Sequence, residues 1–178
     1  MLDIRNLGLR SLKEVNIPEY ITKLICDNNE LETLEGLEKC INLTELNCSN
    51  NELETLEGIE KYINLTKLNC GNNKLKTLEF FTRVKYINLA KLECGGNELE
   101  TLKGIERCNK LTELDCKRNE LRKLKYCPES IEDIRYDFFN DMIKEEYRGK
   151  DIREIHRINK EKWERSIYKE VMKEDNFL

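Results

Sequence analysis

The feature that most constrains this chain is a 22-residue repeat of apolar and polar positions. One copy carries Leu43, Leu46, Cys48, Asn51 and Leu53 in that order, and the same residue types recur at the same spacing on both sides of it. Five full copies agree, from about residue 20 to residue 130. Because a repeat of this length cannot bury its apolar side alone, successive copies must stack on one another.

Each copy is predicted to contain a short extended segment followed by a return path. In the extended segment Leu46 and Cys48 alternate with polar residues, which is the pattern of a strand with one buried face. On the return path Leu53 and Leu56 point into the same core. Copies of the extended segment would stack as parallel strands about 4.8 Å apart, which gives a solenoid.

Two weaker copies flank the five, at residues 2–12 and 131–139. Terminal repeats are expected to be atypical, because one of their faces has no neighbouring repeat. The step into the fourth full copy is 24 residues, since residues 80–86 replace a shorter linker. Phe80 and Phe81 of this insertion either cover the core locally or present an apolar patch.

The asparagine that follows each strand is interpreted as structural. At the point where the chain turns off the strand, its side-chain amide can satisfy backbone groups that the turn leaves unpaired. A glycine at a fixed later offset indicates the turn toward the convex side, and it is Gly36, Gly58 or Gly104 in three copies. The predicted asparagine ladder consists of Asn29, Asn51, Asn73, Asn97 and Asn119.

One column of the core is cysteine in all five full copies. Free cysteine packs as a small hydrophobic residue, no pair has the C-x-x-C spacing of a metal site, and stacked parallel side chains suit disulfides poorly. We therefore expect a column of reduced, protected thiols. It consists of Cys26, Cys48, Cys70, Cys94 and Cys116. Cys40, Cys108 and Cys127 lie outside the column and are expected to be the accessible thiols.

The pattern L-x-x-L-x-C-x-x-N-x-L resembles the leucine-rich repeat family. The 22-residue length and the Leu-Glu-Gly-Leu/Ile-Glu segment resemble the internalin and protein-phosphatase-regulator type, and cysteine in the strand motif is similar to repeat proteins of large DNA viruses of amoebae. The resemblance implies an α/β leucine-rich repeat solenoid over residues 1–139. It further implies a parallel concave sheet, short helical or 3-10 segments on the convex side, and use in protein–protein interaction.

Outward-facing strand positions are predicted to form columns across the concave face. Almost no aromatic residue lies on this face, whereas strong protein-binding sites favour tryptophan, tyrosine and arginine. A solvated polar surface therefore competes with a protein-binding face of moderate affinity. For the second interpretation we predict that a partner contacts Lys67, Asn69, Lys91, Glu93, Glu113, Asp115 and Arg118.

Residues 140–178 lie outside the repeat and predict C-terminal helices. The segment Asp151–Glu154 has the pattern of a capping box, and Ile152, Ile155 and Trp163 begin an amphipathic stripe at helical spacing. Two interpretations stay open here. The helices either cap the open end of the solenoid or extend from it to bind a partner or a second copy, as a homodimer through residues 151–175.

Charge and composition exclude several classes of function. The chain has 31 basic and 35 acidic residues, a net charge of −4, which argues against general nucleic-acid binding. It has no run of 18 apolar residues, so no membrane span is expected. The N-terminal residues lack a signal-peptide pattern, and eight cysteines indicate reduced thiols. We predict a cytoplasmic, intracellular location, which is the host cytoplasm if the chain is viral.

The chain has no motif of a known catalytic site. It has no phosphate-binding glycine loop, no G-x-S-x-G and no H-E-x-x-H, and the single histidine, His156, has no ligand partner nearby in sequence. We therefore predict no enzyme activity, no cofactor and no metal. The favoured function is a scaffold that binds a partner protein through its concave face. The alternative is a self-assembling structural protein that uses the C-terminal helices for oligomerisation.

Overall fold

A computed structural model of the chain contains one sheet of seven short parallel strands, which follow one another in chain order. The structure describes residues 1–83, 88–121, 124–136, 153–155, 157–158 and 161. Consecutive repeats are therefore neighbours, and the predicted solenoid with a parallel sheet is confirmed. The strands are β1 (Leu2–Asp3), β2 (Lys23–Ile25), β3 (Glu45–Asn47), β4 (Lys67–Asn69), β5 (Lys91–Glu93), β6 (Glu113–Asp115) and β7 (Asp133–Arg135).

The strands pair in a register that keeps each repeat column in line. Leu46 lies opposite Leu24 on one side and Leu68 on the other, and Leu92 continues the same row despite the longer step before it. Beyond each strand the ladder continues through the cysteine, as when the Cys48 amide donates to the Asn69 carbonyl at 2.8 Å. The two extra residues of the fourth repeat thus leave the sheet undisturbed.

The core runs along the solenoid as stacked rows of leucine and cysteine. All five cysteines of the predicted column are fully buried. The thiols of Cys26 and Cys48 donate to the carbonyl oxygens of Asn47 and Asn69 in the following strands, at 3.3 and 3.5 Å. A cysteine here fills the space beside the strand, and its thiol also donates a weak hydrogen bond, whereas a leucine side chain has no donor.

The asparagine ladder is structural, as Asn73 shows. Its amide nitrogen donates to the carbonyl oxygens of Cys48 at 3.1 Å and Cys70 at 3.0 Å, and its Oδ1 accepts from the Leu53 amide at 3.0 Å. The side chain is buried and joins two consecutive repeats. The other four asparagines make the equivalent bonds, so each turn off the sheet has its backbone groups satisfied.

The return side of the solenoid contains short 3-10 turns. Gly58 and Gly104 precede two of them with φ of 93° and 114°. The turn of the insertion buries Phe80 and Phe81, whose ring centroids are 4.6 Å apart, so these residues cover the core. The interpretation of the two phenylalanines as an apolar patch is therefore wrong. The 3-10 turns are Leu12–Glu14, Ile59–Lys61, Glu79–Arg83 and Ile105–Arg107.

The prediction that Cys40 and Cys108 are accessible is wrong, because both side chains are buried. Cys108 ends its 3-10 turn, and its amide donates to the Ile105 carbonyl at 2.9 Å. The amide of Cys40 bonds in the same way to the Leu37 carbonyl at 2.9 Å. This geometry directs the residue at that position inward, so the return path supplies one more core row than the sequence pattern indicated.

A helical segment at residues 153–155 and 157–158 lies against the repeats. Ile155 is fully buried in the same hydrophobic cluster as the leucine rows, and Ile158 packs against that cluster. The domain boundary between 139 and 140 stays a prediction. The residues Asp151, His156 and Trp163, and most of the segment 151–175 predicted to form a homodimer, lie outside the described residues.

Candidate protein-binding face

The outward positions of the strands form columns on the concave face. In β3 the central Leu46 is buried, while Glu45 and Asn47 on either side of it are half-exposed. The same alternation holds in β2 and β5, because successive side chains of a strand point to opposite faces. Each strand from β2 to β7 therefore contributes two outward side chains, and the register places them beside their counterparts on the next strand.

Six of the seven predicted contact residues lie together on β4, β5 and β6. The first column places Lys91 between its register partners Lys67 and Glu113. The second column places Glu93 between Asn69 and Asp115. The structure thus brings these six side chains onto three adjacent strands, as the sequence analysis expected. Their use by a partner stays a prediction.

Ion pairs hold the first column in place. The ammonium Nζ of Lys23 lies 2.7 Å from Glu45 Oε2, and that of Lys91 lies 3.0 Å from Glu93 Oε1 and 3.1 Å from Glu113 Oε2. The hydrogen bond from Lys23 keeps the pKa of Glu45 below its ordinary value. Hydrogen bonds to Glu93 and then to Glu113 raise the pKa of Lys91. Such exposed pairs add little stability, but they fix the positions of the charges.

The centre of the face is a shallow cavity of about 380 Å³. Lys23, Glu45 and Asn47 line it together with residues of β4 and β5, although the sequence analysis did not include these three among the contacts. The sequence held a signal for these three residues, because they occupy the same two columns as Lys67 and Asn69, one or two repeats earlier. Beyond the strands, Gly71 and Gly95 lie in the turns, where a Cβ at Gly71 would meet the Gly95 carbonyl oxygen at 3.1 Å.

Arg118 lies apart from the other six predicted contacts. It stands in the turn after β6 with φ of 52°, and its Nη2 donates to Asn72 Oδ1 at 2.9 Å. This turn edge of the sheet is a feature that the sequence analysis missed. A signal for it was present, since asparagine precedes the ladder position by one residue at Asn28, Asn50 and Asn72.

The face is suited to polar recognition and has no grouping typical of a metal site. Among the residues that the structure describes, no three histidine, cysteine, aspartate or glutamate side chains converge closely enough to hold a metal ion. None of the helices within the described ranges is both long and apolar enough to cross a membrane.

A comparison with protein-family models agrees with this architecture. The model for leucine-rich repeats in two copies matches residues 21–61 and again residues 41–83. The described solenoid has the leucine-rich repeat fold. A comparison with curated protein sequences gives no significant match.

Several solved structures share this fold. An internalin (InlF) of Listeria monocytogenes aligns with a TM-score of 0.60 and 22% identity, over 69% of this chain and 36% of that one. The functional domain of InlJ from Listeria monocytogenes, which includes a cysteine ladder, aligns with a TM-score of 0.57 and 26% identity. The alignment covers 67% of this chain and 25% of that one. Internalin C2 of the same species aligns with a TM-score of 0.55 and 17% identity, over 66% of this chain and 62% of that one. The chain thus spans less than two thirds of each of these structures.

Proposed function

We propose that the leucine-rich repeat domain is a non-enzymatic scaffold that binds a partner protein through its concave face. Leucine-rich repeat domains generally mediate protein–protein interaction, and those similar to internalins are typically interaction modules without enzyme activity. The observation that carries the proposal for this chain is the arrangement on β4, β5 and β6. There six polar and charged side chains stand in register on one rigid, exposed sheet.

The ion pairs of the face favour binding over mere solvation. Lys91 is held by Glu93 and Glu113 at 3.0 and 3.1 Å, so its charge has a fixed position before any partner arrives. A pre-positioned side chain loses less conformational freedom on binding, and affinity rises when that cost falls. The pattern of fixed charges would select a partner with the complementary arrangement.

The position of Ile155 favours a capping role for the C-terminal helices over self-assembly. A helix that projects to meet a second copy must keep its apolar stripe available, whereas Ile155 is fully buried with the core of the repeats. We therefore include residues 153–155 and 157–158 in the scaffold. The proposed setting is a reducing, cytoplasm-like compartment, in keeping with eight free thiols.

The test is affinity capture with a charge-reversed concave face. The variant Lys91→Glu/Glu93→Lys exchanges the two charges of one strand, and a circular dichroism melt establishes that it is folded. The matched control reverses Lys103 and Glu79, an ion pair of 3.1 Å between two residues outside the strands. The proposal expects a partner that wild type and the control retain and the concave variant loses. Equal retention by all three proteins would refute the assignment to the concave face.

A further inference from the structure

The row of lysine ion pairs on the concave face has its longest contact at Lys67. Lys23 and Lys91 each have a carboxylate within about 3 Å, at 2.7 and 3.0 Å. Within the described part of the chain, the only carboxylate at ion-pair distance from Lys67 is Glu45, at 3.4 Å. Glu45 lies closer to Lys23, so one carboxylate serves two lysines. The ammonium group of Lys67, with three donors, is therefore only partly satisfied.

The strand on the other side does not supply the missing anion. The register partner of Lys67 on β5 is Lys91, a residue of the same charge. Like charges directly opposite each other on neighbouring strands are unfavourable. The two glutamates that bind Lys91 offset its own charge and have no ion-pair contact with Lys67 among the described residues. An anion from outside the sheet would relieve this mismatch.

Asn69 adds a second unused donor on the same strand. Its Oδ1 accepts from the Gly71 amide at 3.0 Å, but its Nδ2 has no acceptor among the residues described. One repeat earlier, the Nδ2 of Asn47 donates to Asp27 Oδ1 at 2.9 Å. The position equivalent to Asp27 in the next repeat is Ser49, whose hydroxyl already donates to Asn47 Oδ1 at 2.8 Å. Serine is shorter than aspartate, and among the described residues its oxygen accepts no hydrogen bond from Asn69 Nδ2, so the Asn69 amide stays available.

The surroundings set the size and charge of what fits. Lys67 and Asn69 both line the cavity of the concave face. Glu45 and Glu93 line the same cavity, so its potential is only locally positive. A single carboxylate suits the charge of Lys67, whereas a doubly charged phosphate would meet about twice the repulsion from Glu45, Glu93 and Glu113, which all line the cavity.

We propose that Lys67 Nζ and Asn69 Nδ2 form a carboxylate-binding subsite, which takes an aspartate or glutamate side chain of the partner protein. The proposal rests on the proposed function, because it specifies the chemistry of the same concave face. It identifies the partner segment as acidic at the point that contacts β4.

The test uses the full chain, labelled with ¹⁵N, and a blocked tripeptide Ac-Ala-Glu-Ala-NH₂, whose only carboxylate is the glutamate side chain. The readout is the NMR signal of the Asn69 side-chain amide during titration. We expect a saturable shift, with binding weakened roughly fivefold for the glutamine tripeptide and for the variant Lys67→Gln, the scale of one exposed charge-assisted contact. The matched control Lys39→Gln, an exposed lysine paired with Glu19 at 2.9 Å, should bind as wild type does.

Three results would overturn the subsite: equal binding of the glutamine tripeptide, equal loss in Lys39→Gln, or tighter binding of inorganic phosphate than of the glutamate tripeptide. This titration needs no natural partner, so its outcome is separable from that of the capture experiment. If capture depends on the concave face and the tripeptide does not bind, the subsite fails alone. If the tripeptide binds and capture ignores the face, the proposed function fails alone.

Discussion

Arg118 and Asn72, which are 46 residues apart, are joined by a hydrogen bond of 2.9 Å from the guanidinium Nη2 to the amide Oδ1. The bond spans two repeats because Gly96, in the repeat between them, has no side chain to fill the space. Asn72 in turn donates to Asn50 Oδ1 at 2.9 Å. A row of side chains therefore runs along one edge of the sheet, separate from the columns on the strands.

Gly104 and Gly58 should respond differently to alanine, although both have positive φ. A Cβ at Gly104 would lie 2.1 Å from the Leu78 carbonyl oxygen, whereas a Cβ at Gly58 would have no atom within 4 Å. Gly58→Ala should cost only the backbone strain, about 1 kcal/mol. Gly104→Ala should cost at least about 2 kcal/mol more, because backbone must move. Urea unfolding of both variants measures the difference, and equal losses would contradict the packing described around Gly104.

Asn73→Ala should destabilise the domain by roughly 2–4 kcal/mol. The change leaves the amide of Leu53 and the carbonyl groups of Cys48 and Cys70 without their partner in a buried site. Asn42→Ala, at an exposed position, is the control and should stay within about 0.5 kcal/mol of wild type. Thermal or urea unfolding gives both values. A small loss for Asn73→Ala would mean that the ladder is dispensable.

Alkylation of the native protein should modify Cys127 first. Seven of the eight cysteines are buried, and only Cys127 is partly exposed. Burial raises the pKa of Cys127 to about 12, so even this thiol should react more slowly than a free one. Mass spectrometry after a timed reaction with iodoacetamide counts the modified residues. Early modification of Cys40 or Cys108 would show that the return-path row is open to solvent.

The stability of the domain should fall as the pH rises above about 9, partly because of Cys26. Burial raises the pKa of this thiol from 9.0 to about 12. The unfolded chain therefore loses the proton at lower pH than the folded chain, and unfolding becomes more favourable between these two values. Unfolding free energies at about pH 8 and pH 10.5 should differ less in Cys26→Ala than in wild type. An identical pH dependence in the two proteins would exclude a contribution from Cys26.

The fold was predictable because the 22-residue period fixes both the strand positions and their register. Once Leu68 is opposite Leu92, the outward residues Lys67 and Lys91 must share a column, and the sequence places them there. The role of the asparagine ladder follows from the same periodicity. Local spacing was sufficient for these features because each repeat contacts its nearest neighbours.

The features that sequence reasoning missed depend on contacts that a repeat pattern does not encode. The burial of Cys40 and Cys108 depends on tight turns, in which their amides donate to the carbonyls of Leu37 and Ile105, and one cysteine in a polar stretch does not show this direction. The bond between Arg118 and Asn72 requires a gap at Gly96 and a side chain long enough to span it. The unused donor of Asn69 depends on Ser49, a residue of the preceding repeat that lies just after β3.

The most direct measurement of the central claim is lysine footprinting of the chain bound to its captured partner. The chain is acetylated with a limiting amount of reagent, and mass spectrometry compares the extent of acetylation at each lysine between the free and bound states. Binding through the concave face predicts protection of Lys67 and Lys91 and no change at Lys39 and Lys103, which stand outside the strands. Protection of Lys39 or Lys103, with Lys67 and Lys91 as reactive as in the free chain, would contradict it.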